Sequence, residues 1–248
     1  MDSERDGDPS RLRSQYAARM EQDDAKRAAA RAALDELPEH GIIGLGSGST
    51  VKLFVEEVAA LVRAGRRLVG VPTSEATRAQ ASSLGIELLS DDGPWTIAVT
   101  VDGADEVDPS LDLIKGGGAA HLREKIVNYA SARNVIIVDD SKLSKRLGEK
   151  WPVPIEVIPF AHLATARLLE RFGRPALRTR GGVGLPHAVR TDAGNLVYDL
   201  HCGPIADVAA LQSELHGCPG VVEVGLFVRR ADVVIVADTK GVRRLRRD

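Results

Sequence analysis

The sequence has few cysteines, few aromatic residues and no long apolar run. Two cysteines in 248 residues, Cys202 and Cys218, are too few for a disulfide-stapled scaffold, and we expect both to be free thiols. Aromatic residues form 4% of the chain, which disfavours a surface that stacks on nucleic-acid bases. Apolar runs such as residues 135–138 are much shorter than the roughly 18 residues of a membrane-spanning helix. We therefore expect a soluble protein without nucleic-acid or membrane partners.

A strong excess of charge is also absent. The formal net charge is −2, and the basic cluster at residues 243–247 is expected to be a solvated tail. The first residues are charged where a secretory signal would be apolar, so we expect a cytoplasmic protein. Hydrophobic residues make up 44% of the chain, which is enough for a substantial core and excludes disorder as the main state.

Helix-like and strand-like segments alternate along much of the chain. A helix is predicted within residues 11–37, and short apolar runs then alternate with amphipathic stretches as far as residue 140. This alternation predicts an α/β fold with a mostly parallel, Rossmann-like sheet and helices on both faces. Ligands of such sheets bind at the carboxyl ends of the strands.

The pattern changes after Lys150, where residues 151–159 contain three prolines. We expect a crossing between domains there rather than the interior of a sheet. The segment that follows predicts a small α+β domain, and the apolar run at 231–238 is expected to return to the first sheet. The predicted organisation is a flexible extension at 1–20, an α/β domain at 21–149 and 229–248, and the small domain at 150–228.

A glycine-rich turn at residues 44–50 (GLGSGST) follows a predicted strand and opens a predicted helix. Glycines let the backbone approach an anion, and the hydroxyls of Ser47, Ser49 and Thr50 stand beside free N–H groups at the positive end of the helix dipole. The dinucleotide glycine pattern fails here, and no Walker lysine precedes Ser49. The turn indicates phosphate binding, with an ordinary capped turn as the alternative.

Asp102 and Asp105 follow the apolar strand predicted at 97–101, at the sheet edge where α/β proteins place reactive groups. Two carboxylates three residues apart can face one pocket and divide the roles of general acid and base when burial separates their pKa values. An Asp-Gly turn without a catalytic role is the alternative.

Lys115 precedes three glycines, Gly116, Gly117 and Gly118, which lead into a helix predicted at 119–132. Consecutive glycines are costly in entropy unless the backbone must pass close to another group. A lysine beside them can direct its charge at an oxyanion. The segment is therefore a candidate for stabilising developing negative charge.

Glu124 lies on that helix, and its orientation is ambiguous. A helical wheel places it on one face with His121 and Asn128. The opposite face carries Leu122 and Ile126. Periodicity alone therefore favours a glutamate that faces solvent.

Two further features carry less information. Lys142 follows another predicted strand and either holds a phosphate or ends the sheet. The six histidines are scattered, and a zinc site built from residues 201–202 and 216–218 is disfavoured because no C-x-x-C pair is present. We expect no metal and no cofactor.

Taken together and in this order, GLGSGST, VDGADEVD, KGGGAAHLREKIV, DDSK and PGVVEVGLF closely resemble the A type of ribose-5-phosphate isomerase, over residues 24–242. The resemblance implies an α/β sheet domain beside a smaller α+β domain, in metal-free homodimers or homotetramers. It implies interconversion of D-ribose 5-phosphate and D-ribulose 5-phosphate in the pentose phosphate pathway.

The resemblance also implies roles for individual residues. Glu124 would be the catalytic base, Lys115 and the glycine turn would stabilise the oxyanion, and Asp102 would assist ring opening. Asp105 would help exchange protons between the two oxygens. The substrate would be held by the residues Lys26, Ser47, Gly48, Ser49, Thr50, Gly116, Gly117, Gly118 and Lys142. The chain departs from the family at Ser47, where many relatives have Thr, and in a shortened stretch at 201–204.

Three other functions stay open at this point. A non-catalytic sugar-phosphate sensor would also use a serine-rich loop and lysines. A nicotinamide-dependent dehydrogenase is disfavoured by the broken glycine fingerprint. Another aldose–ketose isomerase, or an amino-sugar-phosphate deaminase, would have to be separated by its turnover of different sugar phosphates.

Overall fold

The computed structural model describes residues 9–181 and 187–247, with side chains from Met20 onward. The helices are α1 Pro9–Ala32, α2 Ser49–Arg63, α3 Glu75–Ser83, α4 His121–Tyr129, α5 His162–Leu169 and α6 Val208–His216, with short 3-10 turns at Ala33–Glu36 and Asp140–Lys142. The strands are β1 His40–Leu45, β2 Arg67–Pro72, β3 Glu87–Leu88, β4 Val99–Asp102, β5 Glu106–Val107, β6 Leu113–Ile114, β7 Asn134–Asp139, β8 Val153–Val157, β9 Arg174–Leu177, β10 Thr179–Arg180, β11 His187–Ala188, β12 Leu196–His201, β13 Val221–Val224, β14 Leu226–Phe227, β15 Val233–Asp238 and β16 Gly241–Arg246.

The largest sheet has seven strands in the order β16-β15-β7-β4-β1-β2-β3. All neighbouring pairs are parallel except β15 and β16, which are antiparallel. Side chains of β7 alternate between the two faces: Val135 and Ile137 join the core beneath α1 and α2, whereas Ile136 and Val138 join a core on the other face. On that second face Val127 of α4 packs against Val71. The predicted α/β fold is confirmed.

The second sheet is antiparallel and has the order β13-β8-β12-β9. It encloses a separate apolar core with side chains from α5 and α6. The prediction that residues 151–159 do not lie in the interior of a sheet is wrong for Val153–Val157, because this segment is the buried strand β8, with a neighbouring strand on each side. Pro154 is tolerated because it lies one residue before the stretch of β8 that pairs with β13.

A three-stranded sheet, β14-β6-β5, was not predicted. It carries the chain from Asp102 at the end of β4 to Lys115 directly after β6. Its residues Leu113 and Phe227 are fully buried against β7 and β15. The short sheet therefore returns Lys115 to the sheet edge where β4 ends.

The ends of the chain differ in part from the prediction. Of the extension predicted at 1–20, residues 1–8 lie outside the described part, and residues 9–20 belong to α1. β15 lies in the large sheet beside β7. The division of the chain into two domains at residues 150 and 228 stays a prediction. Among the residues that the structure describes, no helix has the length and apolarity needed to cross a membrane.

Candidate active site

A cavity of about 150 Å³ opens at the carboxyl ends of β1, β4 and β7. Twelve of the thirteen residues that the sequence singled out line it: Lys26, Ser47, Gly48, Ser49, Thr50, Asp105, Lys115, Gly116, Gly117, Gly118, Glu124 and Lys142. The thirteenth, Asp102, is buried and contacts Lys115. Segments separated by more than 100 residues in the chain thus meet at one polar cavity, as expected for the strand ends of a parallel sheet.

The glycine-rich turn presents the start of α2 to this cavity. Gly48 has φ +109°, a conformation that favours glycine, and it directly precedes the helix. The first backbone N–H groups of α2 have no partners within the helix and point out of its positive end, so the turn is suited to an anion. Gly46 must also be glycine, because a Cβ there would lie 2.1 Å from Oδ1 of Asp102.

The hydroxyl of Ser47 bonds to the protein. Its Oγ lies 2.8 Å from Thr73 Oγ1 and 2.8 Å from Ser74 Oγ, in a cluster that also includes Thr77. The backbone N–H of Ser47 donates to Asp102 Oδ1 at 2.9 Å. Ser47 therefore fixes the turn to α3 and to the end of β4.

Lys115 is the centre of a buried charged cluster. Its Nζ lies 3.0 Å from Asp102 Oδ2 and 3.2 Å from Glu124 Oε2, and it donates to the Gly103 carbonyl at 2.5 Å. Burial alone would lower the pKa of Lys115, but the charges of Asp102 and Glu124 raise it above its ordinary value. The ammonium is therefore permanently charged at neutral pH.

Glu124 is 4% exposed, so the periodicity-based expectation that it faces solvent is wrong. The face of α4 that carries His121 and Glu124 is buried, whereas Ile126 on the other side is 51% exposed. The helical wheel gave the wrong orientation because the polar side chains of α4 face the cavity and a buried ion pair. A polar side chain at such a position is buried and not exposed to solvent.

Burial raises the pKa of Glu124 to about 8, against the lowering effect of the Lys115 charge. The nearby carboxylates of Asp102 and Asp105 raise it further. Glu124 Oε2 has no hydrogen-bond partner among the described residues, since its approach to Lys115 lacks hydrogen-bond geometry. A buried carboxyl that lines a cavity and has a raised pKa is suited to taking and returning a proton.

The triple-glycine segment forms a tight turn in which the Ala119 N–H donates to the Gly116 carbonyl at 2.9 Å. The Gly117 N–H donates to Asp105 Oδ2 at 2.7 Å, and a Cβ at Gly117 would lie 2.6 Å from the other oxygen of Asp105. Glycine is required at this position by close approach. Gly118 lines the cavity, and its N–H has no acceptor within residues 9–181 and 187–247.

Two lysines approach the cavity from outside the sheet. Lys26 of α1 lies 3.6 Å from Asp23 Oδ1, and Lys142 lies over the Trp151 ring with its Nζ 5.3 Å from the ring centroid. Both line the cavity together with the glycine-rich turn and Asp139. The structure thus adds two positive charges to a cavity that already has a helix N-terminus.

Several residues at or behind the cavity were missed by the sequence analysis. Gln22 and Asp139 line it, with the Gln22 amide donating to Asp139 Oδ2 at 3.4 Å. Buried Glu106 accepts backbone N–H bonds from Gly148, Lys150 and Trp151, which fixes the loop after Lys142. The spacing of Gln22, four residues before Lys26 on one helix face, is a signal that could have identified it.

His121 was noted only for its place on the helical wheel. Its side chain is fully buried, and neither ring nitrogen has a hydrogen-bond partner among the described residues. Burial lowers the pKa of His121 to about 3, and the charge of Lys125 lowers it further. Its ring packs against the glycine turn, since a Cβ at Gly116 would lie 2.6 Å from Nδ1.

Across residues 9–181 and 187–247, no three His, Cys, Asp or Glu side chains form a group that could hold a metal ion.

Comparison with known proteins gives a consistent result over most of the chain. The family model of ribose 5-phosphate isomerase A (phosphoriboisomerase A) matches residues 69–241. A curated relative, ribose-5-phosphate isomerase A of Rhodopseudomonas palustris (strain HaA2), is 48% identical over 235 residues, which cover 92% of this chain and all of the relative.

Solved structures agree with this result. A D-ribose-5-phosphate isomerase in complex with phospho-erythronic acid is 41% identical, with a TM-score of 0.85 over 90% of this chain and 98% of its own. Ribose 5-phosphate isomerase A from Methanocaldococcus jannaschii is 39% identical, with a TM-score of 0.84 over 91% of this chain and 99% of its own. The family model includes the cavity residues from Gly103 to Lys142.

Proposed function

This chain belongs to the ribose 5-phosphate isomerase A family, and we propose that it interconverts D-ribose 5-phosphate and D-ribulose 5-phosphate at the cavity described above. It is an aldose–ketose isomerase of the non-oxidative pentose phosphate pathway. The observation that carries the proposal is the buried carboxyl of Glu124, which lines the cavity and has its Oε2 3.2 Å from Lys115 Nζ.

The reaction moves a carbonyl between C1 and C2 without net gain or loss of atoms. In the open-chain aldose, Glu124 removes the proton from C2, and the electron pair moves toward the C1 oxygen to form an enediolate. Return of the same proton to C1, with proton exchange between the two oxygens, gives the ketose. The raised pKa of Glu124 supports this use, because a general base and acid act best when their pKa lies near the working pH.

Negative charge that develops on the enediolate oxygens needs donors that are already in place. We assign this role to the Lys115 ammonium and to the N–H of Gly118, a residue that lines the cavity and whose N–H has no acceptor among the described residues. One preorganised donor of this kind is typically worth about 2.7–4 kcal/mol in the transition state. Lys115 is held for this purpose by Asp102 and by the Gly103 carbonyl.

The two aspartates are proposed to act on hydroxyl protons. Asp105 faces the cavity and uses one oxygen to accept the Gly117 N–H, so its other oxygen can take part in exchange between O1 and O2. Asp102 is the candidate for opening the furanose ring. Its Oδ2 contacts Lys115, so the substrate hydroxyl would replace the ammonium as the partner of that oxygen during this step.

The phosphate is proposed to bind at the N-terminus of α2, against Gly48, Ser49 and Thr50. Lys26 and Lys142 line the same cavity and supply the opposite charge. This arrangement leaves the carbonyl end of the sugar toward Lys115 and Glu124.

The test is an assay of ribose 5-phosphate in the presence of a chelator. We expect ribulose 5-phosphate to accumulate to equilibrium with no added metal or cofactor. Binding without product formation would favour a sugar-phosphate sensor instead. Faster turnover of another aldose phosphate, or release of ammonia from an amino-sugar phosphate, would favour one of the related activities.

We also propose that the chain forms a homodimer or homotetramer and acts in the cytoplasm. Phe160 is 83% exposed and Leu163 is 71% exposed, so the start of α5 presents an apolar patch that a second copy could cover. Light scattering should give a multiple of the 26.5 kDa chain mass, and Leu163→Glu should lower it if this patch is the interface. A monomeric wild type would contradict the proposal of self-association.

A further inference from the structure

Arg178 links the second sheet to the triple-glycine turn. It lies between β9 and β10, and its Nη1 donates to the Gly116 carbonyl at 2.6 Å and to the Gly117 carbonyl at 3.2 Å. The contact joins residues about sixty positions apart in the chain, and the guanidinium is largely buried. Arg178 does not line the cavity, so it reaches the site only through the turn.

Asp199 fixes the guanidinium in place. The Nε of Arg178 donates to one oxygen of Asp199 at 2.9 Å, and Nη2 donates to the other at 2.5 Å. Asp199 lies on β12, the strand paired with β9, so both partners are held by the sheet. A bidentate pair of this kind has a single geometry, and it leaves Nη1 aimed at the turn.

The two carbonyls that Arg178 binds belong to the peptide units that carry the Gly117 and Gly118 N–H groups, and both residues line the cavity. The Gly116 carbonyl shares a peptide unit with the Gly117 N–H, which donates to Asp105. The Gly117 carbonyl shares one with the Gly118 N–H, which has no acceptor in the described part of the chain. A positive charge on a carbonyl polarises its whole peptide unit and makes the N–H on the other side a stronger donor.

We propose that Arg178, held by Asp199, is a positioning residue for catalysis: it orients and polarises the triple-glycine turn so that the Gly118 N–H stabilises the enediolate. This inference rests on the proposed function, because it requires an oxyanion at the cavity. Since the charge develops only in the transition state, loss of Arg178 should lower kcat more than it changes KM.

The experiment compares Arg178→Lys, Arg178→Met and Asp199→Asn with wild type, and uses Arg171→Met as a matched control. Arg171 is an exposed arginine that follows α5, and its contacts are with Phe172 and Cys218, not with the turn. We expect kcat to fall about tenfold or more in the three test variants with KM within about threefold, and the control to keep wild-type values. Arg178→Lys keeps the positive charge but lacks the guanidinium group that binds Asp199 and the turn at the same time, so we expect its kcat to stay below that of wild type.

A binding measurement separates positioning from simple loss of structure. Phospho-erythronic acid carries a carboxylate where the enediolate charge would develop, so its Kd should rise about tenfold in Arg178→Met while the Kd of inorganic phosphate stays unchanged. Added guanidinium should restore part of kcat in Arg178→Ala. If Arg178→Met does not fold, Arg178→Lys carries the same comparison.

The outcomes distinguish this inference from the proposed function. If wild type does not isomerise ribose 5-phosphate, the proposed function fails. If wild type is active but the Arg178 variants keep kcat, or lose phosphate binding as much as binding of the acid, only the role of Arg178 is overturned. A fall in kcat with retained phosphate binding supports it.

Discussion

The Nζ of Lys115 lies 3.2 Å from Oε2 of Glu124, although the two side chains come from opposite sides of the glycine turn. The same ammonium lies 3.0 Å from Asp102. One buried positive charge thus faces two carboxylates, and Asp105 adds a third nearby. Because full ionisation would leave excess negative charge in a buried cluster, a proton is retained at neutral pH, and Glu124 is the group whose pKa is raised.

The first prediction concerns Glu124 itself. Glu124→Gln keeps the size of the side chain but cannot accept a proton, so kcat should fall at least about a hundredfold with little change in substrate binding. Kinetics and calorimetry with ribose 5-phosphate check this. The matched control, Glu170→Gln, changes an exposed glutamate at the end of α5 and should leave kcat unchanged. A Glu124→Gln enzyme with normal kcat would remove this residue from the mechanism.

The second prediction is a pH dependence of activity. Glu124 must lose its proton to act as the base, so kcat/KM should rise with pH through an apparent pKa near 8 rather than near 4.5. The negative charge of Asp102 raises the pKa of Glu124, so Asp102→Asn should move the remaining activity profile to lower pH. Rates measured from pH 5 to 10 check both. An acidic limb at the same pH in both enzymes would contradict the coupling.

The sequence predicts those parts of the site whose positions follow from a local pattern, and it does not predict those that depend on the surrounding fold. The large sheet follows from short apolar runs such as β7, and the strand ends identify the cavity because parallel strands end at one edge. The burial of Glu124 could not be predicted from periodicity, since a buried charged cluster gives a helix the same polar face as solvent does.

Residues that act across the two sheets left no local signal. Arg178 contacts Gly116 and Gly117 from about sixty positions away, and nothing in its neighbourhood in the sequence indicates that contact. β8 was missed for the opposite reason, because Pro154 within it and the prolines beside it are a strong local signal, which the pairing of β8 with β12 and β13 overrides. In both cases the structure is determined by contacts between segments that are distant in the sequence.

The third prediction separates two serines of the glycine-rich turn. The Ser47 hydroxyl bonds to Thr73 and Ser74, so Ser47→Ala should lower the free energy of unfolding by about 1 kcal/mol and change KM less than about threefold. Ser49 is exposed at the cavity, so Ser49→Ala should raise KM without a comparable loss of stability. Denaturant unfolding and kinetics check the pair. The reverse pattern would place the Ser47 hydroxyl on the substrate.

The fourth prediction tests phosphate binding. Lys142→Gln removes a cavity charge, so KM for ribose 5-phosphate should rise about tenfold or more, with a matching rise in the Ki of inorganic phosphate and little change in kcat. Lys26→Gln should act in the same direction. Lys145→Gln, an exposed lysine three residues along the chain, serves as the control. If kcat falls while the Ki of phosphate is unchanged, Lys142 acts on the reaction and not on the phosphate.

The fifth prediction concerns the stability of the fold around His121. The ring is buried without hydrogen-bond partners in the described structure, and burial lowers its pKa to about 3. The unfolded chain therefore binds a proton below about pH 6.5 that the folded chain excludes, so stability must fall as the pH decreases through this range. Lys125 and Arg178 disfavour the charged ring, and Glu223 opposes them only in part.

His121→Leu removes this titration and replaces unsatisfied nitrogens with an apolar side chain of similar size. The variant should be more stable than wild type by about 1 kcal/mol or more at pH 7. The difference should widen by up to about 1.4 kcal/mol for each unit by which the pH decreases between about 6 and 5. The reason is that only wild type must release a proton from this side chain when it folds. Urea unfolding at several pH values measures this difference directly, and other titrating groups cancel because both proteins contain them. Parallel stability curves would mean that the ring finds a hydrogen-bond partner in solution, for example a buried water that bridges it to the glycine turn.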